Sequence, residues 1–203
     1  MKTKSIIAVL TSIAATAAFA ADSPSVGSSA PEFSAPDSKG KTQSLSQYKG
    51  KYVVLEWFNP ECPFVKKHYN GGNMQKLQQE LTGKGAVWLS IDSSAPGLEG
   101  SLTADQAEKK IAEWKMNATA LLIDADGKVG QAYGAKNTPQ MFIINPEGKI
   151  VYSGAIDSKA TPNAADIPSS TNYVKVAYEE TSAGKPVSNA QTKPYGCSVK
   201  YKK

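Results

Sequence analysis

The feature that most constrains this chain is an apolar run, Tyr52-Val53-Val54-Leu55-Glu56-Trp57-Phe58, that stops abruptly at Asn59-Pro60-Glu61-Cys62-Pro63. Its β-branched and aromatic residues follow one another with little polar alternation, the pattern of a strand covered on both faces. Such a strand needs neighbours in a sheet and packed layers above and below it. Pro63 sits where a helix tolerates proline, in the first turn, because the missing N–H has no intrahelical partner there. The run therefore predicts a central strand feeding a helix, with Cys62 at the junction.

The rest of the chain supplies the partners of that strand. Residues 31–44 give two short extended pieces around Asp37-Ser38-Lys39-Gly40, a hairpin signal. The helix that starts at Pro63 is interrupted by Asn70-Gly71-Gly72-Asn73, and a second helix runs from Met74 to Gly83 with Leu77 and Leu81 on its apolar face. Residues 86–91 read as a strand, 92–100 as a Ser, Pro and Gly loop, and 103–114 as a helix capped by Thr103 or Asp105. Leu121-Leu122-Ile123 is a short strand ended by a turn at Asp124-Ala125-Asp126-Gly127, which lacks the downstream ligands of a calcium loop. Residues 140–145 and 149–156 flank Pro146-Glu147-Gly148 as a hairpin, and 172–182 form a last helix. Strands alternate with helices and then give way to an antiparallel pair. That order predicts an α/β sandwich: a mixed central sheet with helices on both faces and an N-terminal β-hairpin.

The two ends read differently from the middle. Lys2 and Lys4, an apolar stretch over 6–18 and the sequence Ala18-Phe19-Ala20 have the form of a secretory signal peptide over residues 1–20. Thr11, Ser12 and Thr16 interrupt a stretch already short for a bilayer, so cleavage and export, periplasmic or secreted, are expected, with no membrane span remaining. One domain is expected over 26–184. It is followed by a polar tail, 185–203, that carries the second cysteine. No repeat recurs in the 203 residues, which excludes solenoids and propellers. The net charge of +5 arises entirely from lysine, because the chain contains no arginine. Lys193, Lys200, Lys202 and Lys203 with Tyr195 and Tyr201 read as a solvated end rather than a nucleic-acid surface.

Cys62 and Cys197 are the only cysteines, too few for a disulfide scaffold, so in an oxidising compartment they are one staple or a redox pair. At a helix start Cys62 faces free N–H groups and the positive end of the dipole, a setting that favours an anionic sulfur. Lys66 and Lys67 are poorly placed for that dipole but well placed to hold a thiolate. His68, the only histidine, lies about 240° around the helix from Cys62. The two therefore do not converge on a metal, and His68 reads as a surface residue. No nicotinamide or flavin fingerprint is present, so no cofactor is expected and reducing equivalents must come from outside.

Trp57-Phe58-Asn59-Pro60-Glu61-Cys62-Pro63 resembles the active-site segment of thioredoxin-like proteins, and Thr138-Pro139 before the strand 141–144 resembles their cis-proline loop. Residues 26–184 are similar to the exported redoxin branch, of the alkyl-hydroperoxide-reductase and thiol-specific-antioxidant type. The Cys-Pro-Phe-Val segment and the Gly196-Cys197-Ser198-Val199-Lys200-Tyr201 ending resemble a peroxiredoxin-like group within it. The resemblance implies a thioredoxin-like sandwich and a thiol-disulfide oxidoreductase in which Cys62 is the nucleophile, aided at the helix start by Pro63, Lys66 and Lys67. It further implies that Pro139, in cis, presents the Thr138 backbone to an extended substrate. Glu56, with a pKa raised by burial, would move the proton. The implied partners are a disulfide-containing or oxidised protein and an external thiol reductant, without metal or nucleic acid.

Two departures from the family patterns matter. The second cysteine of a thioredoxin motif would stand at Val65. Either Cys197 resolves, with Pro194-Tyr195-Gly196 folding back over the site, or Cys62 works alone through mixed disulfides. The peroxiredoxin pattern has Thr or Ser three residues before its cysteine and Pro seven before, where this chain has Asn59 and Leu55, and it uses an arginine that is absent here. A thiol peroxidase is therefore the second reading, ahead of a copper-binding or non-catalytic protein of the same fold.

Overall fold

The computed structural model describes residues 23–203; the expected signal peptide lies outside the described residues. In chain order the elements are β1 (Ser34–Pro36), β2 (Thr42–Ser44), β3 (Val53–Trp57), α1 (Pro63–Asn70), α2 (Asn73–Gly83), β4 (Val87–Asp92), α3 (Ala104–Trp114) and β5 (Ala120–Ile123). They continue through α4 (Lys128–Ala132), β6 (Asn137–Thr138), β7 (Gln140–Ile144), β8 (Ile150–Gly154), α5 (Tyr173–Ser182) and β9 (Cys197–Ser198).

The apolar run forms the middle of a five-stranded sheet of order β5-β4-β3-β7-β8. β3 is parallel to β4 and antiparallel to β7, which makes the sheet mixed. Every residue of β3 is buried, and its side chains divide between two cores. Val54 joins Val65, Leu77, Ala107 and Val174 from α1, α2, α3 and α5 on one face. Val53, Leu55 and Trp57 join Phe33, Ala35 and Val129 on the other, where α4 and the segment carrying the β1–β2 hairpin form the cover. The predicted interruption after α1 is a single turn: Gly72 takes φ +69 as the N-cap of α2, a conformation that a side chain would strain.

The structure adds elements that periodicity did not announce. The turn at 124–127 leads into α4, and the Asp124 carboxylate accepts from Val129 N (3.1 Å) and Gly130 N (2.9 Å), filling N–H groups that a helix start leaves open. The tail is not a solvated end. Thr192 N donates to Ser153 O and Ser153 N to Ala190 O along the open edge of β8. The chain then crosses to β6, where β9 pairs antiparallel with it. Beyond β9, Val199 N donates to Lys136 O and Tyr201 Oη to Ala135 O. Tyr195, Cys197 and Val199 pack against the two cores, apolar positions two residues apart that were present in the sequence among the lysines. Among the described residues no helix is long and apolar enough to cross a membrane.

Candidate active site

The segment between β3 and α1 is built to hold one residue in place. Phe58 N still donates to Ile91 O, extending the β3–β4 pairing by a residue. The buried Asn59 side chain then fixes the turn, accepting from Glu61 N (2.8 Å) and donating to Glu99 O (3.1 Å). Gly100, at φ +82, is the residue that lets this amide in, since a Cβ there would collide with it. Cys62 follows as the extended N-cap of α1, fully buried, with Pro63 in the first turn as predicted. Its Sγ donates to Thr138 O at 3.0 Å, and the Thr138–Pro139 bond is cis. The cysteine and the proline loop, far apart in sequence, thus meet through one carbonyl.

The same threonine receives the second cysteine. In the β6–β9 pair the register sets Thr138 opposite Cys197 and Asn137 opposite Ser198. Gly196 makes the approach possible: it takes φ +117, and a Cβ there would run into Thr138 O. Both thiols are free. The Cys197 thiol is pushed up to about 12, first by burial and then by hydrogen bonding to Cys62 and the nearby Cys62 charge, so at neutral pH it holds its proton. Fold-back of the tail, one of the two arrangements open from sequence, is the one the structure adopts.

A model of the AhpC/TSA family matches residues 26–153, well over half of the chain. The chain belongs to that family. The thiol-disulfide oxidoreductase ResA of Bacillus subtilis (strain 168) is 31% identical over 130 residues, covering 64% of this chain and 67% of ResA. Among solved structures, the hypothetical protein SMc02350 from Sinorhizobium meliloti 1021 has a TM-score of 0.75 at 24% identity, covering 89% of this chain and 97% of that one. The thioredoxin domain of the thiol-disulfide oxidoreductase BVU-2223 from Bacteroides vulgatus has a TM-score of 0.51 at 26% identity, covering 72% and 98%. This AhpC/TSA protein is a thiol-dependent oxidoreductase of thioredoxin-like fold. The family match stops before the tail that brings Cys197 to the site.

The charged residues around the site are arranged differently from the expectation. Lys67 is buried, and its Nζ donates to Asp157 Oδ2 (3.1 Å) and Lys159 O (2.8 Å), while Lys66 pairs at the surface with Glu61 (3.1 Å). The buried Lys67 ammonium must be paired and is committed to Asp157 rather than to Cys62, whereas the Lys66–Glu61 pair is exposed. His68 is not a surface residue but fully buried. Its Nδ1 lies 2.8 Å from Asn73 Nδ2, and its Nε2 lies 3.3 Å from Tyr195 Oη. Burial lowers its pKa to about 4 against the opposing charge of Asp157, so the ring is neutral at pH 7. With the Asn73 amide as donor to Nδ1, the ring proton is assigned to Nε2, facing Tyr195.

Glu56 is buried and its pKa raised by burial, as predicted, but its partners are not the cysteines. It accepts from Ser90 Oγ (2.7 Å), Trp88 Nε1 (2.8 Å), Tyr69 Oη (2.9 Å) and Gln78 Nε2 (3.3 Å). Ser90, Trp88 and Gln78 converge on Oε2 and Oε1 takes the Tyr69 hydroxyl, so the carboxylate pins α1 and α2 to the sheet. None of its hydrogen bonds runs to Cys62 or Cys197.

Proposed function

We propose that this AhpC/TSA-family oxidoreductase works outside the cytoplasm and exchanges disulfides through Cys62, with Cys197 as the resolving thiol. The observation that carries the reading is the double use of Thr138: its carbonyl accepts from Cys62 Sγ, and its residue is paired in register with Cys197. The signal-like N-terminus supports export, where a Cys62–Cys197 disulfide persists.

The Cys62 thiolate attacks a substrate disulfide, forming a mixed disulfide and releasing one substrate thiolate. That step removes the charge on Cys62, one of the causes that hold the Cys197 proton in place. Cys197 then loses its proton, attacks the Cys62 sulfur and expels the second substrate thiol, leaving the Cys62–Cys197 disulfide. An external dithiol returns both cysteines to the reduced state and leaves as a disulfide. Thr138 and Pro139 dock the partner's extended segment when β9 lifts from the edge that it fills. For the peroxidase alternative, Asn59 stands where a hydroxyl would, with both amide atoms already bonded.

The test is stoichiometric. Reduced protein mixed with excess glutathione disulfide is expected to release two glutathione equivalents and end as an intramolecular disulfide. Cys197→Ser stops at a mixed disulfide with one equivalent released, and Cys62→Ser reacts at least about a hundredfold more slowly. Wild type that also stops at glutathione mixed disulfides, with no intramolecular link, would overturn the resolving role.

A further inference from the structure

We propose that Asp157, acting through the hydroxyl of Tyr195, positions Cys197 for attack on Cys62, and that His68 makes this positioning sensitive to acid. The inference rests on Cys197 being the resolving thiol. Tyr195 stands two residues before Cys197, joined to it through the bend at Gly196 that sets Cys197 against Thr138. Its ring packs on Phe64 of α1 with centroids 5.7 Å apart, and Lys67 Nζ lies 5.7 Å from its centroid. Its hydroxyl donates to Asp157 Oδ1. Asp157 is itself held by Lys159 N at Oδ1 (3.0 Å) and Lys67 Nζ at Oδ2 (3.1 Å). Helix α1, the segment after β8 and the tail therefore converge on one buried carboxylate, and the tail's share of it is a hydroxyl two residues before Cys197.

The groups facing His68 are Asp157, with Oδ2 3.8 Å from Nε2, Lys67 beside it on α1, Tyr195 from the tail, and the uncharged Asn73 at the start of α2. In the neutral state hydrogen bonds run in one direction, from Asn73 to His68 to Tyr195 to Asp157. A proton added to His68 would place two buried cations on a single carboxylate. Lifting the tail exposes the ring to water and relieves that burial, so acid favours the lifted state.

Tyr195 and its partners make no hydrogen bond to either sulfur, so their effect appears in the effective concentration of Cys197 at Cys62. The purified chain is equilibrated with glutathione and glutathione disulfide, quenched by alkylation and read by mass. At pH 7.5 Tyr195→Phe, which keeps the ring and loses the hydroxyl, lowers the effective concentration of the Cys62–Cys197 disulfide about tenfold, the scale of a hydrogen bond to a charged group. Between pH 7.5 and 5.5 the wild-type value falls about tenfold, while that of His68→Gln stays flat. A Tyr195→Phe value equal to wild type, or a His68→Gln protein that keeps the acid-dependent fall, overturns the proposal. Failure of wild type to form the disulfide at any glutathione ratio would instead sink the resolving role on which it stands.

Discussion

Glu56 and Asp157 are two buried carboxylates that both take a hydrogen bond from α1, and they hold different things. Glu56 gathers neutral donors, Tyr69, Gln78, Trp88 and Ser90, all from the body of the fold. Burial then dominates and raises its pKa. Asp157 instead has a full cation, Lys67, and a tail hydroxyl, Tyr195. The first carboxylate belongs to the core, and the second ties a remote segment onto it. What separates them is the origin of the donors, and this decides whether a change is felt by the whole domain or by the tail.

The contrast is sharpened first by Glu56→Ala, which leaves the buried donors of Tyr69, Trp88 and Ser90 without an acceptor, while Gln78 keeps its bond to the Tyr69 hydroxyl. Each orphan costs roughly 1–3 kcal/mol, so a loss of about 4 kcal/mol or more of global stability is expected in urea unfolding. A loss under about 1 kcal/mol would break the comparison.

Next in size is the acid dependence carried by His68. Its folded pKa is lowered to about 4 from 6.5, so its contribution is present above pH 6.5 and lost as pH falls toward 4. Across that window the loss reaches about 3 kcal/mol. Asp92 works the other way: burial raises it to about 6, so its contribution is present below its ordinary value of 3.8 and lost as pH rises through 6. The difference between wild type and His68→Gln at each pH isolates the histidine, and a difference independent of pH would contradict the assignment.

A local effect is predicted for Gly196→Ala. The added methyl collides with Thr138 O, so β9 lifts and the fully buried Cys62 becomes open to alkylation, at least about tenfold faster, while the urea midpoint moves little. The smallest effect is one of sign. Because the Glu56 pKa is raised, its contribution is lost as pH rises through the folded value, so wild type loses more stability from pH 5 to 8 than Glu56→Gln does.

Much of this was legible in the chain because it is local. The run ending at Phe58, the Cys62-Pro63 helix start and the 146–148 turn declare themselves by period and by proline and glycine chemistry, and the fold follows them. The burial of Glu56 was also readable, but its partners were not, since Trp88 and Ser90 reach it only across the β3–β4 register. Helix α1 misled for the same reason. Lys67 and His68 have the look of a wet face, and that face is covered by the segment after β8 and by the tail, far along the chain. The tail's own alternation was visible, yet its lysines made it look free.

The central claim is that Cys62 and Cys197 act as one pair. Oxidising the purified protein with a small disulfide, alkylating free thiols and mapping peptides by mass tests it directly. The account predicts an unlabelled chain with a single Cys62–Cys197 link. A labelled Cys197 beside a Cys62 that still carries the small thiol would contradict it.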